Sequence, residues 1–246
     1  MPYPDGFKIE VAKTCADLVA AAIEFYEKGS GPDKVAGYAV KTHFYDDPAG
    51  KKKRRMGFIA SKGAKGEDVA IAIRGTGNAS DAATDLNFSK ATDAHLFSDM
   101  KCHKGFLNAY LKLQAPIKET LKNIRAQGGA QNILVAGHSL GGALATLCAL
   151  DLRAESFPEY KKVILYTFGA PKVFAESTAA KKFKAIVGDS YRVVNPHDSV
   201  PTVPPNFAHF AEGEWRIESK IGVKGTVAAH VMKSYRETIE EFAKTR

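Results

Sequence analysis

Ile133-Leu134-Val135-Ala136-Gly137-His138-Ser139-Leu140-Gly141-Gly142-Ala143-Leu144-Ala145-Thr146-Leu147 is the stretch of this 246-residue chain that decides its fold. Residues 133–136 form a short apolar run, the pattern of a strand buried on both faces. Gly137 to Gly141 spell G-x-S-x-G, and residues 142–147 are small and apolar enough to pack a helix tightly against a sheet. A serine on a sharp strand-to-helix turn needs flanking residues without Cβ, because neighbouring chain passes very close. A glycine turn that merely packs a helix would give the same bare pattern. The strand before it and the small-residue helix after it favour the exposed nucleophile.

Working outward, the elements alternate. Thr14-Cys15-Ala16-Asp17 reads as a capping-box start, with Leu18, Ala22 and Phe25 continuing one helical face to Gly29. Strands are expected at residues 37–45, 56–61 and 69–73, the first two joined as a hairpin through a polar turn and a basic run. Phe106, Tyr110, Leu113, Ile117, Leu121 and Ile124 step by three or four, which predicts a long amphipathic helix kinked at Pro116. Further strands follow at 163–168, 191–194 and around 215–217, and Val231, Tyr235, Ile239 and Phe242 mark a last helix. Such βα alternation implies a mixed, mostly parallel central sheet covered by helices on both faces, with the hairpin antiparallel at one edge. No linker, repeat or low-complexity tract divides residues 1–246, so one α/β domain is expected.

Composition narrows the function classes. With 45% hydrophobic and 25% charged residues the chain is neither disordered nor fibrous. Thirty-five Lys+Arg against 27 Asp+Glu leave a net charge of +8, which favours loose attraction to anionic surfaces. Lys51, Lys52, Lys53, Arg54 and Arg55 concentrate five of those charges in the predicted hairpin loop. They read as a solvated turn or as a contact for an anionic membrane surface. They lack interleaved aromatics, so nucleic acid is not an expected partner. Cys15, Cys102 and Cys148 are too few and too scattered for a disulfide framework or a zinc site. The longest uncharged stretch, 126–150, is long enough to span a bilayer but is broken by five glycines and a polar centre. The opening MPYPDGFKIE carries acids and prolines where a secretory leader has basic residues before an apolar run. This favours a cytoplasmic protein, or a secreted one whose leader has been removed.

A serine hydroxyl needs an imidazole to take its proton and a carboxylate to orient that imidazole. After an elbow of this type the order is serine, acid, histidine. Asp151, Glu155, Asp189 and Asp198 are acid candidates. Asp198 stands out in the stiff loop Asn195-Pro196-His197-Asp198-Ser199-Val200-Pro201, whereas Asp151 is expected to face solvent from the elbow helix. His197 comes too early in the order. His209 and His230 both remain as bases, His230 favoured by its place where a loop enters the last helix.

These motifs together make the chain resemble the class 3 lipases, the filamentous-fungal type of α/β-hydrolase. The resemblance rests on Ile73-Arg74-Gly75-Thr76, Thr84-Asp85-Leu86, His103-Lys104-Gly105-Phe106 with Tyr110, and residues 137–145. It continues through Phe168-Gly169-Ala170-Pro171, residues 191–205, His209 to Trp215, and His230 with Tyr235. It implies an α/β-hydrolase fold and a serine carboxylic ester hydrolase acting on acylglycerols or short-chain lipid esters, without cofactor or metal. Ser139 is implied as nucleophile, Asp198 as acid and His230 as base, with His209 structural. Thr76 and the backbone N–H of Leu140 are implied as the oxyanion hole. His103 is expected to be structural, and Arg74 with Asp85 is a candidate buried pair. A phospholipase, a feruloyl-type esterase or an idle lipid-binding relative would share this frame.

Two departures stand out. A Gly-Asn pair common in the family is replaced by Phe174-Ala175. The family's lid, an amphipathic helix over the serine, corresponds to Gly77-Asn78-Ala79-Ser80-Asp81-Ala82-Ala83-Thr84, whose only apolar side chains are alanines. Leu96 and Phe97 are candidates for a displaced lid.

Overall fold

Alternation along the strands determines how the two faces of the sheet are covered. In a computed structural model that describes residues 3–46, 54–75, 90–91, 99–154, 160–210, 213–217 and 227–244, eight strands form one sheet. In chain order the elements are α1 (Ile9–Lys28), β1 (Lys34–Val35), β2 (Tyr38–Tyr45), β3 (Arg55–Lys62) and β4 (Asp68–Ile73). Then follow β5 (Lys90–Ala91), β6 (Cys102–His103), α2 (Lys104–Ala126), β7 (Asn132–His138), α3 (Leu140–Ala154), β8 (Lys162–Phe168) and α4 (Ser177–Val187). Last come β9 (Ser190–Val194), β10 (Glu214–Arg216), α5 (Val227–His230) and α6 (Met232–Lys244). The sheet order is β1-β2-β3-β4-β7-β8-β9-β10, antiparallel from β1 to β4 and parallel from β4 onward, while β5 and β6 pair separately.

Val69, Ile71, Ile73, Ile133 and Val135 point to one face, where they meet α2, α3 and α4. Ala70, Ala72, Leu134 and Ala136 point to the other, under α1 and α6. This period of two is why an apolar run serves a strand sandwiched between helix layers. The mixed, mostly parallel sheet with helices on both faces is an α/β-hydrolase fold.

Three expectations need correction. First, α1 begins at Ile9, five residues before the Thr14 signal, and its N-cap Lys8 makes no side-chain cap bond. Burial holds the extra turn instead: Ala12 and Cys15 are inaccessible, and the Tyr166 hydroxyl accepts from Lys8 N at 3.1 Å. Secondly, Asp151 does not face solvent. It is 1% exposed and accepts from the Tyr110 hydroxyl (2.6 Å), Gln114 (3.1 Å) and Lys118 (2.9 Å) on α2, which makes it a clamp between two helices. Thirdly, Arg54 and Arg55 are not free cations. Arg54 pairs with Asp46 at 2.6 Å, and Arg55 donates to the carbonyls of Phe25 (2.7 Å) and Gly29 (3.3 Å) at the end of α1.

The α2 helix runs as one element through Pro116. Phe174 exchanges backbone hydrogen bonds with Ala208 (3.0 and 2.7 Å), so the Phe174-Ala175 departure is built into a bridge. Cys15, Cys102 and Cys148 are buried and form no disulfide with one another. Among the described residues no helix is long and apolar enough to cross a membrane, and no group of His, Cys, Asp or Glu could hold a metal ion. Lys51, Lys52, Lys53, Thr76, residues 77–84, Asp85, Leu96, Phe97 and Glu155 lie outside the described residues.

Candidate active site

Strand β7 ends at His138 and α3 starts at Leu140, so Ser139 alone makes the turn. Its φ is 55°, a left-handed value that costs a non-glycine residue on the order of 1–3 kcal/mol. The glycines explain how the turn closes. A Cβ on Gly137 would stand 2.1 Å from Gly141 O, and one on Gly141 would stand 2.3 Å from Ile73 O. The elbow is therefore locked between its own helix and the end of β4. A Cβ on Gly75 would come within 2.9 Å of Ser139 Cβ, which places the end of β4 directly against Ser139. Leu140, the first residue of α3, has a backbone N–H with no intrahelical acceptor, as at any helix N-terminus.

The carboxylate and imidazole meet as expected. Asp198 Oδ2 accepts from His230 Nδ1 at 2.7 Å and from the Tyr235 hydroxyl at 2.7 Å, while Oδ1 accepts from Val200 N at 2.9 Å. Gly169, with φ 54°, makes room: a Cβ there would lie 2.6 Å from Asp198 Oδ2. Asp198 and His230 are 4% and 3% exposed. Ser139 Oγ and His230 Nε2 are each buried without a hydrogen-bond partner among the described residues. Buried polar atoms left unpaired cost about 1–3 kcal/mol, so each of these calls for a functional reason.

His209 Nε2 donates to Pro201 O at 2.7 Å, and burial, helped by the nearby Arg192 charge, pushes it down to about 3. It therefore braces the loop that carries Asp198. His103 caps α2, its Nδ1 accepting from Phe106 N at 3.4 Å. Asp189 precedes β9, at the end of the sheet opposite Ser139, and pairs with Lys162 at 2.7 Å. Arg74 is 3% exposed, with its guanidinium 3.5 Å from the Tyr26 ring centroid and its Nε donating to Arg55 O at 2.6 Å. A second donor of Arg74 reaches Gly75 O. A cleft of about 550 Å³ opens beside these residues, floored by Ile23, Tyr26, Gly75, His138, Val231 and Met232.

Two residues that received no role from the sequence complete the site. Asn195, fully buried, donates its side chain to Ala229 O at 3.0 Å and accepts from His197 N. Tyr235 accepts from Asn195 N at 3.1 Å while donating to Asp198, and burial beside that carboxylate raises its hydroxyl well above the ordinary tyrosine range. Both act over more than thirty residues of separation, beyond any local pattern. Tyr235→Phe is expected to remove about 1.5–3 kcal/mol of stability, the scale of a hydrogen bond to a charged group. It should also slow turnover about tenfold. Urea melts and initial rates check this, and unchanged values for both would show that Asp198 does not depend on the hydroxyl.

The sheet, the strained serine turn and the buried carboxylate–imidazole pair define a protein of the α/β-hydrolase class. Residues 70–208 match the family Lipase (class 3), and this chain belongs to that family. It is 32% identical over 161 residues to the secreted mono- and diacylglycerol lipase 1 of Fusarium solani, covering 64% of this chain and 46% of that one. It is 34% identical over 162 residues to the lipase of Rhizomucor miehei, covering 64% and 44%. The chain thus spans a little under half the length of these relatives. The solved Rhizomucor miehei triacylglyceride lipase superposes with a TM-score of 0.67 at 27% identity, over 85% of this chain and 79% of that one. Lipase II from Rhizopus niveus gives 0.66 at 24% identity over 89% and 82%, a likeness of fold. Related lipases from Penicillium cyclopium, Penicillium camembertii and Malassezia globosa are described as secreted, which overturns the cytoplasmic expectation drawn from the first ten residues.

Proposed function

We propose that residues 1–246 form a single domain that hydrolyses carboxylic esters of lipids, acylglycerols or shorter-chain esters, through a serine acyl-enzyme. The observation that carries this reading is the contrast at the site. Asp198 and His230 are already paired at 2.7 Å, while Ser139 Oγ and His230 Nε2 stand buried and without a hydrogen-bond partner among the described residues. In this reading Ser139 Oγ attacks the ester carbonyl and His230 Nε2 takes its proton, with Asp198 stabilising the imidazolium. The Leu140 N–H, together with Thr76, receives the charge that develops on the carbonyl oxygen. His230 returns the proton to the departing alcohol, and a water then repeats the sequence on the acyl-enzyme. The membership of the class 3 family and the mono- and diacylglycerol lipases among its relatives support the substrate class.

A fluorophosphonate probe tests this reading. An adduct lost in Ser139→Ala supports an enzyme, and a chain that binds lipid without forming one is an idle relative. Rates on a triglyceride, a phospholipid and a feruloyl ester separate the lipase from its two enzymatic rivals.

Tyr45 and Arg55, the facing ends of β2 and β3, lie at the same end of the sheet as Gly75, because Gly57 pairs with Ile73 and Arg74 N donates to Met56 O. With Arg54 and Arg55 tied into the fold, Lys51, Lys52 and Lys53 are left to meet an anionic surface, at about 1 kcal/mol per charge.

Ser139 is 2% exposed. A lid gains from lipid about 1.5–3 kcal/mol for each large aliphatic side chain it buries, and the alanines of residues 77–84 supply far less. The expected result is measurable hydrolysis of dissolved short-chain esters with no steep rise at the solubility limit. Rate against tributyrin concentration measures it, and near-zero activity below saturation followed by a sharp upward break would sink the idea.

A further inference from the structure

We propose that His138, the first variable position of the G-x-S-x-G turn, is a positioning residue that fastens the base to the nucleophile. Its Nε2–H donates to the backbone carbonyl of His230, and its ring lies against the His230 imidazole. The inference rests on the reading of His230 as the base.

The need for such a fastening comes from how the base is carried. α5 ends at His230 and α6 starts at Met232, so the base sits at a break between two helices. The last carbonyls of a helix have no partner within it. Here Asn195 Nδ2 takes Ala229 O at 3.0 Å, and His138 Nε2 takes His230 O at 2.6 Å. Without these bonds, rotation about the backbone at residue 230 would swing the imidazole while its Nδ1 alone held Asp198. His138 is the residue before Ser139 and the last of β7. Nucleophile and base are therefore linked by one peptide unit, one side chain and one hydrogen bond, a far shorter path than the 90 residues of chain between them.

A carbonyl oxygen can only accept, so Nε2 of His138 must carry the hydrogen. The two imidazole rings lie 4.7 Å apart at 34°, and the Tyr235 ring flanks His138 edge-on at 6.0 Å. Burial, and secondarily the adjacent His230, pushes His138 down to about 3. It thus stays neutral when His230 takes the serine proton, and the new charge faces Asp198 on one side and an uncharged ring on the other.

Two variants separate the donor from the ring. His138→Phe keeps an aromatic ring without a donor, and His138→Gln keeps a donor without the ring. With p-nitrophenyl butyrate, His138→Phe is expected to lower kcat on the order of 10–100-fold with KM unchanged, since a displacement near 1 Å at a reacting centre costs up to about 10²-fold. His138→Gln should recover most of that loss. The low-field proton resonance of the His230–Asp198 hydrogen bond should broaden or vanish in the Phe variant and return in the Gln variant. Wild-type kcat in His138→Phe, or a loss that Gln does not relieve, overturns the proposal. ¹⁵N-histidine spectra of the wild-type protein decide the matter independently of how the variants fold: His138 should be neutral and protonated at Nε2, and a charged ring or the Nδ1–H form at neutral pH would be fatal. A His230→Ala variant that kept its turnover would defeat the underlying reading instead. An inactive His230→Ala beside a normal His138→Phe would defeat this inference alone.

Discussion

Ser139→Ala and His230→Ala are each expected to lower kcat by about 10⁴–10⁶, and the double variant should be hardly slower than either single one. The reason is that in the proposed mechanism the two side chains act as one unit. Ser139 Oγ is a weak nucleophile without a base, and His230 Nε2 has no other hydrogen-bond partner among the described residues to serve. Removing either atom abolishes the proton transfer, so removing the second takes away nothing that remains. The residual rate would come from substrate binding and the oxyanion donors. His209→Ala is the control, because His209 already spends Nε2 on Pro201 O and should affect stability more than kcat. Initial rates on p-nitrophenyl esters, normalised to folded protein by circular dichroism, measure all four. Near-normal turnover in His230→Ala with a large loss in His209→Ala would reverse the base assignment.

What was legible in the sequence was what is local. The elbow, its glycines and the helix after it lie within about eighteen residues, from Gly137 to Ala154, and each glycine of the turn answers a clash it would otherwise suffer. The central strands β4, β7 and β8 were legible because burial on both faces writes itself as a nearly unbroken apolar run, whereas the two-residue strands β1, β5 and β6 leave no such run. The order serine, Asp198, His230 came from family resemblance as much as from spacing, since the residues alone left His209 open. What was not legible depends on partners far along the chain. Asp151 has the sequence context of an exposed helical acid, and only the approach of Tyr110, Gln114 and Lys118 from α2 makes it a buried clamp. The start of α1 was missed for the same reason. No side chain caps it, and Phe7 holds the preceding turn by packing on Tyr3 and Trp215, the latter more than two hundred residues away. Asn195 and Tyr235 look like ordinary loop and helix residues until α5 and α6 fold back over the end of the sheet.

Asp198→Asn should fold normally yet lose on the order of 10⁴ in kcat. The hydrogen bonds around this side chain show why an isosteric amide fails in either orientation. With the amide oxygen at the Oδ2 position it still accepts from His230 and Tyr235, but its NH₂ then faces the Val200 N–H that now bonds Oδ1 at 2.9 Å. Two donors would confront each other in a buried pocket. With the amide flipped, NH₂ faces His230 Nδ1 and forces the hydrogen onto Nε2, the nitrogen that must accept the serine proton. Tyr235 can turn its hydroxyl to accept from that NH₂, so the flipped form keeps more of its hydrogen bonds and the unreactive tautomer prevails. Even in the other orientation a neutral amide cannot stabilise the imidazolium as a carboxylate does. The loss should therefore appear in kcat and in the rate of fluorophosphonate labelling alike, because both need an activated serine, while near-native circular dichroism shows the fold intact. Full activity in Asp198→Asn would remove Asp198 from the triad. Asp189 could not replace it, since it lies at the far end of β9 in an ion pair with Lys162.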